Sequence, residues 1–308
     1  MKKTMTHARS TWRALAHGMA LVLCGLALHG TAQARLIEEQ IDVPVKLRNV
    51  YGKAIEQPIR VTVWRDDANP VPAPVLVLNH GRAVDGQGRA NVGRARFSVA
   101  ARFFVAQGFI VAVPTRIGYG VTGGEDIEDS GSCNSKQYPP AYQIAADQTL
   151  AALTAVRALP NADQARSVIA GQSFGGTTAI TVASLNFPGV SAAINFAGGG
   201  GGNPKTHPQR PCMPQMLEQM FGQYGKTARI PTLWIYTQND QWMGPTYPRE
   251  WFNAYRAAGG AGEFELYPPH GEDGHMLFAK FPEVWQPRVK QFLEQNGFVA
   301  PTRKGEAR

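Results

Sequence analysis

Two stretches near the start of the chain, Ile37 to Val50 and Ile55 to Trp64, alternate apolar and polar residues with turn residues between them. Period-two alternation predicts an antiparallel pair of strands, each with one face covered. From Pro74 onward the pattern changes. Pro74 to Leu78, Phe109 to Pro114, Arg166 to Ala170, Ser191 to Phe196, Pro231 to Tyr236 and Glu263 to Tyr267 are short, mostly apolar runs of strand length. Strands buried on both faces read this way. Between them lie segments with helical character: Phe97 to Gln107, stopped by Gly108; Tyr142 to Leu159, ended by Pro160; Thr177 to Leu185; and Tyr247 to Ala258. Val284 to Asn296 reads as a closing amphipathic helix. Repeated strand-then-helix units predict an α/β fold. Its sheet is doubly wound and mostly parallel, flanked by helices, with the antiparallel strands at the N-terminal edge. Ligands then belong beyond the carboxyl ends of the strands. Two long segments break the rhythm, residues 115–140, rich in Gly, Ser and acids, and residues 197–228, with a five-glycine run and several prolines. They are expected to be irregular and to form the rim of a site.

Length supports one domain. The chain has 308 residues, 44% of them hydrophobic, enough for a large single core over residues 35–300, with residues 301–308 as an unstructured tail. The first 34 residues stand apart. Lys2, Lys3, Arg9 and Arg13 precede an apolar run from Ala20 to Leu28, and Ala32-Gln33-Ala34 offers a small-x-small cleavage site. This is the pattern of a secretory signal cut after Ala34, and the run is too short for a good membrane span. A lipid-anchored start at Cys24 is the rival, disfavoured by Leu23 before it. The mature chain is therefore expected in the periplasm or outside the cell, without stable membrane insertion.

Removing the signal also changes the charge. The formal net charge of +8 loses four bases and no acids, leaving a surplus of about four without basic clusters. That gives no case for nucleic acid as a partner. Cys24 leaves with the signal, so Cys133 and Cys212 remain in an oxidising compartment, where a disulfide is expected and two free thiols are the alternative. Neither has metal-ligand spacing along the chain, and no metal is expected. Glu125, Asp126, Glu128 and Asp129 lack the spacing of a calcium loop and read as a solvated acidic loop.

The chemistry centres on Gly171-Gln172-Ser173-Phe174-Gly175-Gly176, between a strand and a helix. A serine on a tight turn with glycines two before and two after is a G-x-S-x-G nucleophile elbow, with its hydroxyl clear of the sheet. Such a serine needs a base and a carboxylate to orient that base, in the chain order Ser, acid, His. Asp240 follows one late strand and His275 the next, in Asp273-Gly274-His275-Met276. His270 is the other candidate base, and Asp240 could instead be a turn residue or helix cap. Asp273 is too close in sequence to His275 to be the acid. Two backbone N–H groups should hold the developing oxyanion, those of Phe174 and of Arg82 in Asn79-His80-Gly81-Arg82.

These residues resemble the α/β-hydrolase superfamily over roughly residues 37–298. G-Q-S-F-G-G, V-L-N-H-G and the late D-G-H look most similar to dienelactone-hydrolase-like and platelet-activating-factor-acetylhydrolase-like esterases. The resemblance implies cofactor-free hydrolysis of small esters through an acyl-enzyme. Dienelactone hydrolases proper use a cysteine nucleophile, from which Ser173 departs. Around the site, Arg116 and Tyr119 either line the pocket or shape a loop, and Trp242 and Met243 either form an apolar subsite or pack in the core. A prolyl-oligopeptidase-like peptidase, a non-catalytic binding protein on the same fold and an acyltransferase with the same triad are the alternatives.

Overall fold

The computed structural model describes residues 35–69 and 72–298; the expected signal and the tail after residue 300 lie outside the described residues. Strands β1 (Leu36–Arg48) and β2 (Ala54–Asp66) pair antiparallel along their full length, from Leu36 opposite Asp66 to Arg48 opposite Ala54. The next strands are β3 (Ala73–Asn79), β4 (Ile110–Thr115), β5 (Ala162–Gln172), β6 (Val190–Phe196), β7 (Thr232–Thr237) and β8 (Gly262–Tyr267). The sheet order is β1-β2-β4-β3-β5-β6-β7-β8, with β2 antiparallel to β4 and every later pairing parallel. The expected doubly wound sheet is present.

Its helices are α1 (Gly86–Ala90), α2 (Ser98–Ala106), α3 (Tyr138–Arg157), α4 (Phe174–Leu185), α5 (Pro214–Thr227), α6 (Thr246–Ala257), α7 (Leu277–Lys280) and α8 (Pro282–Gln295). Alternate residues of each buried strand serve opposite layers. Leu76 and Leu78 meet Phe104 of α2 and Trp285 of α8, whereas Val75 and Val77 meet Leu153 of α3 and Val182 of α4. On β7, Trp234 and Tyr236 pack against α5 and α6. Both faces are thus dry, which is why these strands carry no alternation.

Three expectations change. Residues 197–228 are not irregular throughout, because α5 occupies their second half. Its buried residues Leu217, Met220 and Phe221 lie at helical spacing against α6, and Gly225 passes so close that a Cβ there would fall 2.1 Å from Tyr255 O. Helix α3 begins at Tyr138, four residues early, with Pro139 and Pro140 in its first turn, where proline is tolerated. Of the expected solvated acidic loop, Glu125 is exposed as expected, but Asp126 and Glu128 are withdrawn from solvent. Glu125 pairs with Lys53, Asp126 with Arg82 and Arg89, and Glu128 with Arg116. Among the described residues, no helix is long and apolar enough to cross a membrane.

Candidate active site

The carboxyl ends of β3, β5, β7 and β8 converge on Ser173. The serine stands between β5 and α4 at φ 58° and ψ −124°, a left-handed backbone that a residue with a Cβ adopts at a cost of about 1–3 kcal/mol. Neighbours hold it there. Its N–H donates to Phe196 O (2.8 Å), and its carbonyl accepts from Gly176 N (2.8 Å) and Thr177 N (3.2 Å). The glycines on either side leave no room for side chains. A Cβ at 175 would lie 2.3 Å from Asn79 O, and one at 171 would lie 2.1 Å from Gly175 O.

Asp240 and His275 meet. His275 Nδ1 lies 2.9 Å from Asp240 Oδ2, with both side chains buried. The other carboxylate oxygen accepts from Trp242 N (2.8 Å) and Met243 N (2.9 Å), which fixes its plane. A proton on Nδ1 shared with Asp240 leaves Nε2 as the acceptor. The hydroxyl of Ser173 makes no hydrogen bond to the imidazole among the described residues. Gln172 Nε2 ties the elbow to His275 O instead (3.3 Å). Nucleophile–base distances in enzymes often shorten only when substrate arrives. His270 is engaged elsewhere, with Nδ1 2.8 Å from Pro268 O.

Asp273, set aside as the acid, has another position. Its Oδ1 accepts from His275 N (2.9 Å) and Gln241 N (3.0 Å), and its Oδ2 from Trp242 Nε1 (3.2 Å). One carboxylate therefore clips the histidine loop to the Asp240 loop. The closeness in sequence that rules Asp273 out as the relay acid lets it cap its own turn. Trp242 stacks on the His275 ring at 5.2 Å.

Phe174 N–H is the first amide of α4 and has no partner within the helix. The Arg82 loop lies against the elbow: a Cβ on Gly81 would sit 3.0 Å from Ser173 Cβ. The Arg82 guanidinium donates to both Asp126 oxygens (2.7 and 2.6 Å) and to Tyr119 OH (3.2 Å). Burial works against its charge, but Asp126, Tyr119 and Glu128 together outweigh it and raise the pKa.

Arg116 and Tyr119 do not line the pocket, which corrects one of the two readings open for them. Both are fully buried. Arg116 reaches Glu128 (2.6 and 3.3 Å) and His80 O (2.8 Å), while Tyr119 OH and Gln148 Nε2 complete the contacts of Glu128 at 2.9 and 3.1 Å. This network braces the Arg82 loop from below. His80 belongs to it, with Nδ1 2.7 Å from Gly81 O and Nε2 accepting from Arg116 N (3.2 Å). Burial first, and the Arg116 charge second, hold its pKa well below the usual 6.5. The unfolded chain takes up a proton at this residue below pH ~6.5 and the folded chain does not, so stability falls as pH falls through that value. Between pH 7 and pH 5, His80 is expected to remove stability progressively, because the unfolded chain alone takes up this proton. Urea titrations of wild type and His80→Gln at both pH values check this: the variant should lose correspondingly less. Equal losses would count against it.

The cavity before Ser173 has a volume of about 190 Å³ and is also lined by Phe174, Arg82 and Trp242. Trp242 and Met243 are among its lining residues as well, while Met243 is buried in the core cluster against which Trp242 packs. Both long segments contribute walls. Cys133 and Cys212 are joined in a disulfide with Cα atoms 5.0 Å apart, which ties one segment to the other. The glycine run forms part of the lining, and its carbonyls are tethered one by one: Gly198 O by Tyr236 OH (2.8 Å), Gly199 O by Tyr142 OH (2.8 Å) and Gly200 O by Tyr138 OH (3.1 Å). Burial raises the pKa of all three tyrosines, which keeps each a donor. Lys136 and His207 line the cavity too, and nothing local in the sequence singled them out.

The model of the dienelactone hydrolase family matches residues 88–270, more than half of the chain, including Ser173 and Asp240. The chain belongs to the dienelactone hydrolase family. Membership makes it a hydrolase, in a family of ester-cleaving enzymes. No curated protein matches it in sequence. Among solved structures, an acetyl xylan esterase from Paenibacillus sp. R4 has a TM-score of 0.56 at 19% identity, over 86% of this chain and 88% of that one. The Pyrococcus furiosus esterase Pf2001 gives 0.54 at 13%, over 83% and 90%. An acylaminoacyl peptidase from Pyrococcus horikoshii gives 0.54 at 14%, over 86% of this chain but 43% of that one. Identities this low speak for a shared α/β-hydrolase fold alone.

Proposed function

We propose that this family member is an exported serine hydrolase of small carboxylic esters, acting through an acyl-enzyme. The observation that carries the reading is the strained Ser173 at the cavity beside a buried Asp240–His275 pair. His275 Nε2 takes the hydroxyl proton as Ser173 Oγ attacks the ester carbonyl. The N–H groups of Phe174 and Arg82 stabilise the tetrahedral oxyanion. His275 then protonates the leaving alcohol and activates the water that releases the acid. Asp240 fixes the tautomer and offsets the imidazolium charge. The disulfide and the basic-then-apolar start of the sequence support export.

The cavity also suggests a substrate class. It is small, and three of its lining residues, Arg82, Lys136 and His207, carry or can carry positive charge, whereas no Asp or Glu is among its described lining residues. Arg82 is already paired with Asp126, but among the described residues the Lys136 ammonium donates only to Ser130 Oγ and Gly131 O. Burial lowers its pKa, an effect that an anion placed beside it would oppose. Short esters bearing a carboxylate fit this lining best. On a panel of p-nitrophenyl esters, the acetate should exceed the octanoate in kcat/KM, although each buried methylene normally favours the longer chain by about 0.8 kcal/mol. Lys136→Met should raise KM for a hemisuccinate ester by about 10-fold or more, the worth of one charge-assisted hydrogen bond, and leave KM for the neutral acetate within about twofold. An equal rise on both esters would remove the charge argument. Absence of fluorophosphonate labelling at Ser173 would remove the enzyme reading itself.

A further inference from the structure

The disulfide does not stand alone in the cavity wall. His207 Nε2 lies 3.6 Å from Cys212 Sγ, and the donor atoms of Cys133, Cys212 and His207 all lie within 4.8 Å of one another. Cys133 is exposed, His207 half-buried and Cys212 buried, so the cluster opens to solvent on one side only. All three residues line the same cavity as Ser173. Chain order hides the grouping, because 79 residues separate the two cysteines.

We propose that the reduced form of this loop pair is a binding site for one zinc-class metal ion, and that the ion closes the cavity to substrate. Two equivalents of a small-molecule thiol reduce the Cys133–Cys212 bond to two thiols and are themselves oxidised to their disulfide. Binding of the ion by both sulfurs then releases two protons. Two thiolates and one imidazole are a familiar donor set for Zn2+, with the fourth position left open. Zn–S bonds of about 2.3 Å and Zn–N bonds of about 2.0 Å place tetrahedral donors roughly 3.5–3.8 Å apart. The His207–Cys212 edge already has that length, and Cys133 Sγ, within 4.8 Å of both other donors, has to part from Cys212 Sγ and take up a similar distance to the ring. The ring has a partner for the required tautomer: Nδ1 lies 2.7 Å from Thr206 Oγ1, which can accept its proton once Nε2 is free to ligate. Nε2 now lies 3.1 Å from Gly201 O, a contact that the metal-bound ring gives up. An outer partner on the second nitrogen is the usual companion of a ligating histidine.

The test uses the full mature chain, oxidised or reduced under inert gas with the reductant then removed, and titrated with Zn2+ by calorimetry and with Co2+ by visible absorption. Reduced wild type should bind one ion at least about 100-fold more tightly than the oxidised protein. The Co2+ form should show the spectrum of a tetrahedral thiolate site. His207→Ala should weaken binding at least about tenfold and Cys133→Ser should abolish the thiolate spectrum. Zinc should suppress fluorophosphonate labelling of reduced wild type, reversibly with a chelator, and leave the Cys133→Ser/Cys212→Ser protein unaffected. Equal zinc affinity of the oxidised and reduced forms, or of wild type and His207→Ala, would overturn the site. So would loss of the folded circular-dichroism signal on reduction. Direct metal binding is read independently of ester turnover, so failure of the proposed esterase activity leaves this test intact.

Discussion

Ser173→Ala is expected to lower kcat/KM on p-nitrophenyl acetate by at least about 10⁴-fold, because removing a triad member leaves only binding and the oxyanion donors. The thermal midpoint should stay within a few degrees of wild type. Alanine keeps the Cβ, so it inherits the same backbone strain at φ 58° and the same amide bonds to Phe196, Gly176 and Thr177. Ser173→Gly separates the two roles of the position. It should be equally inactive, yet more stable than Ser173→Ala by about 1–2 kcal/mol, because glycine adopts that backbone freely. A Ser173→Ala enzyme with wild-type turnover would sink the nucleophile assignment. Equal stability of the two variants would mean that the elbow stores no strain.

Glu128→Ala should be the most destabilising single change to the loops around the site. Arg116 and Glu128 have fully buried side chains, and truncating the glutamate strands a guanidinium without its counter-charge. Breaking a buried pair on one side typically costs about 3–5 kcal/mol, which in a domain of this size lowers Tm by roughly 10 °C. The loss should reach the chemistry as well, since Arg116 also holds His80 O beneath the Arg82 loop. Replacing both partners, Arg116→Met with Glu128→Leu, should recover much of the stability, because no charge is left buried. It should not recover kcat, because a methionine at position 116 cannot donate to His80 O. Calorimetry and steady-state kinetics on the two variants and wild type decide the matter. A Glu128→Ala protein that melts within a degree of wild type would show that the network carries little.

The strands were legible in the sequence because burial on both faces leaves a mark that no local context disguises. Val75 to Leu78 and Leu233 to Tyr236 are apolar at every position, and both proved to be interior strands. The order of Ser173, Asp240 and His275 was legible for a related reason: the fold dictates which strand ends can supply them, and the structure joins the last two. What stayed hidden depends on partners distant in the chain. Glu128 and Asp126 look like solvent-facing acids until Arg116, Arg82 and Arg89 are brought to them. Helix α5 carries Gly222 and Gly225, which argue locally against a helix, and its packing on α6 overrides that preference. Lys136 and His207 gain significance only from the cavity they share.

The tethered glycine run constrains how this enzyme can diversify. A side chain added at positions 198 to 202 would meet Asn195, Met243, Tyr142, Tyr138 or Trp242 at 2.1 to 3.0 Å. That part of the lining therefore has no spare positions at which a point mutation could widen, narrow or recharge the cavity. Evolutionary latitude is confined to the side chains of the remaining lining, around Lys136, His207 and Trp242. A lineage that moves to a new ester should carry its substitutions there while the five glycines and their three tyrosines persist together. A laboratory library aimed at new substrates should be drawn on the same side chains.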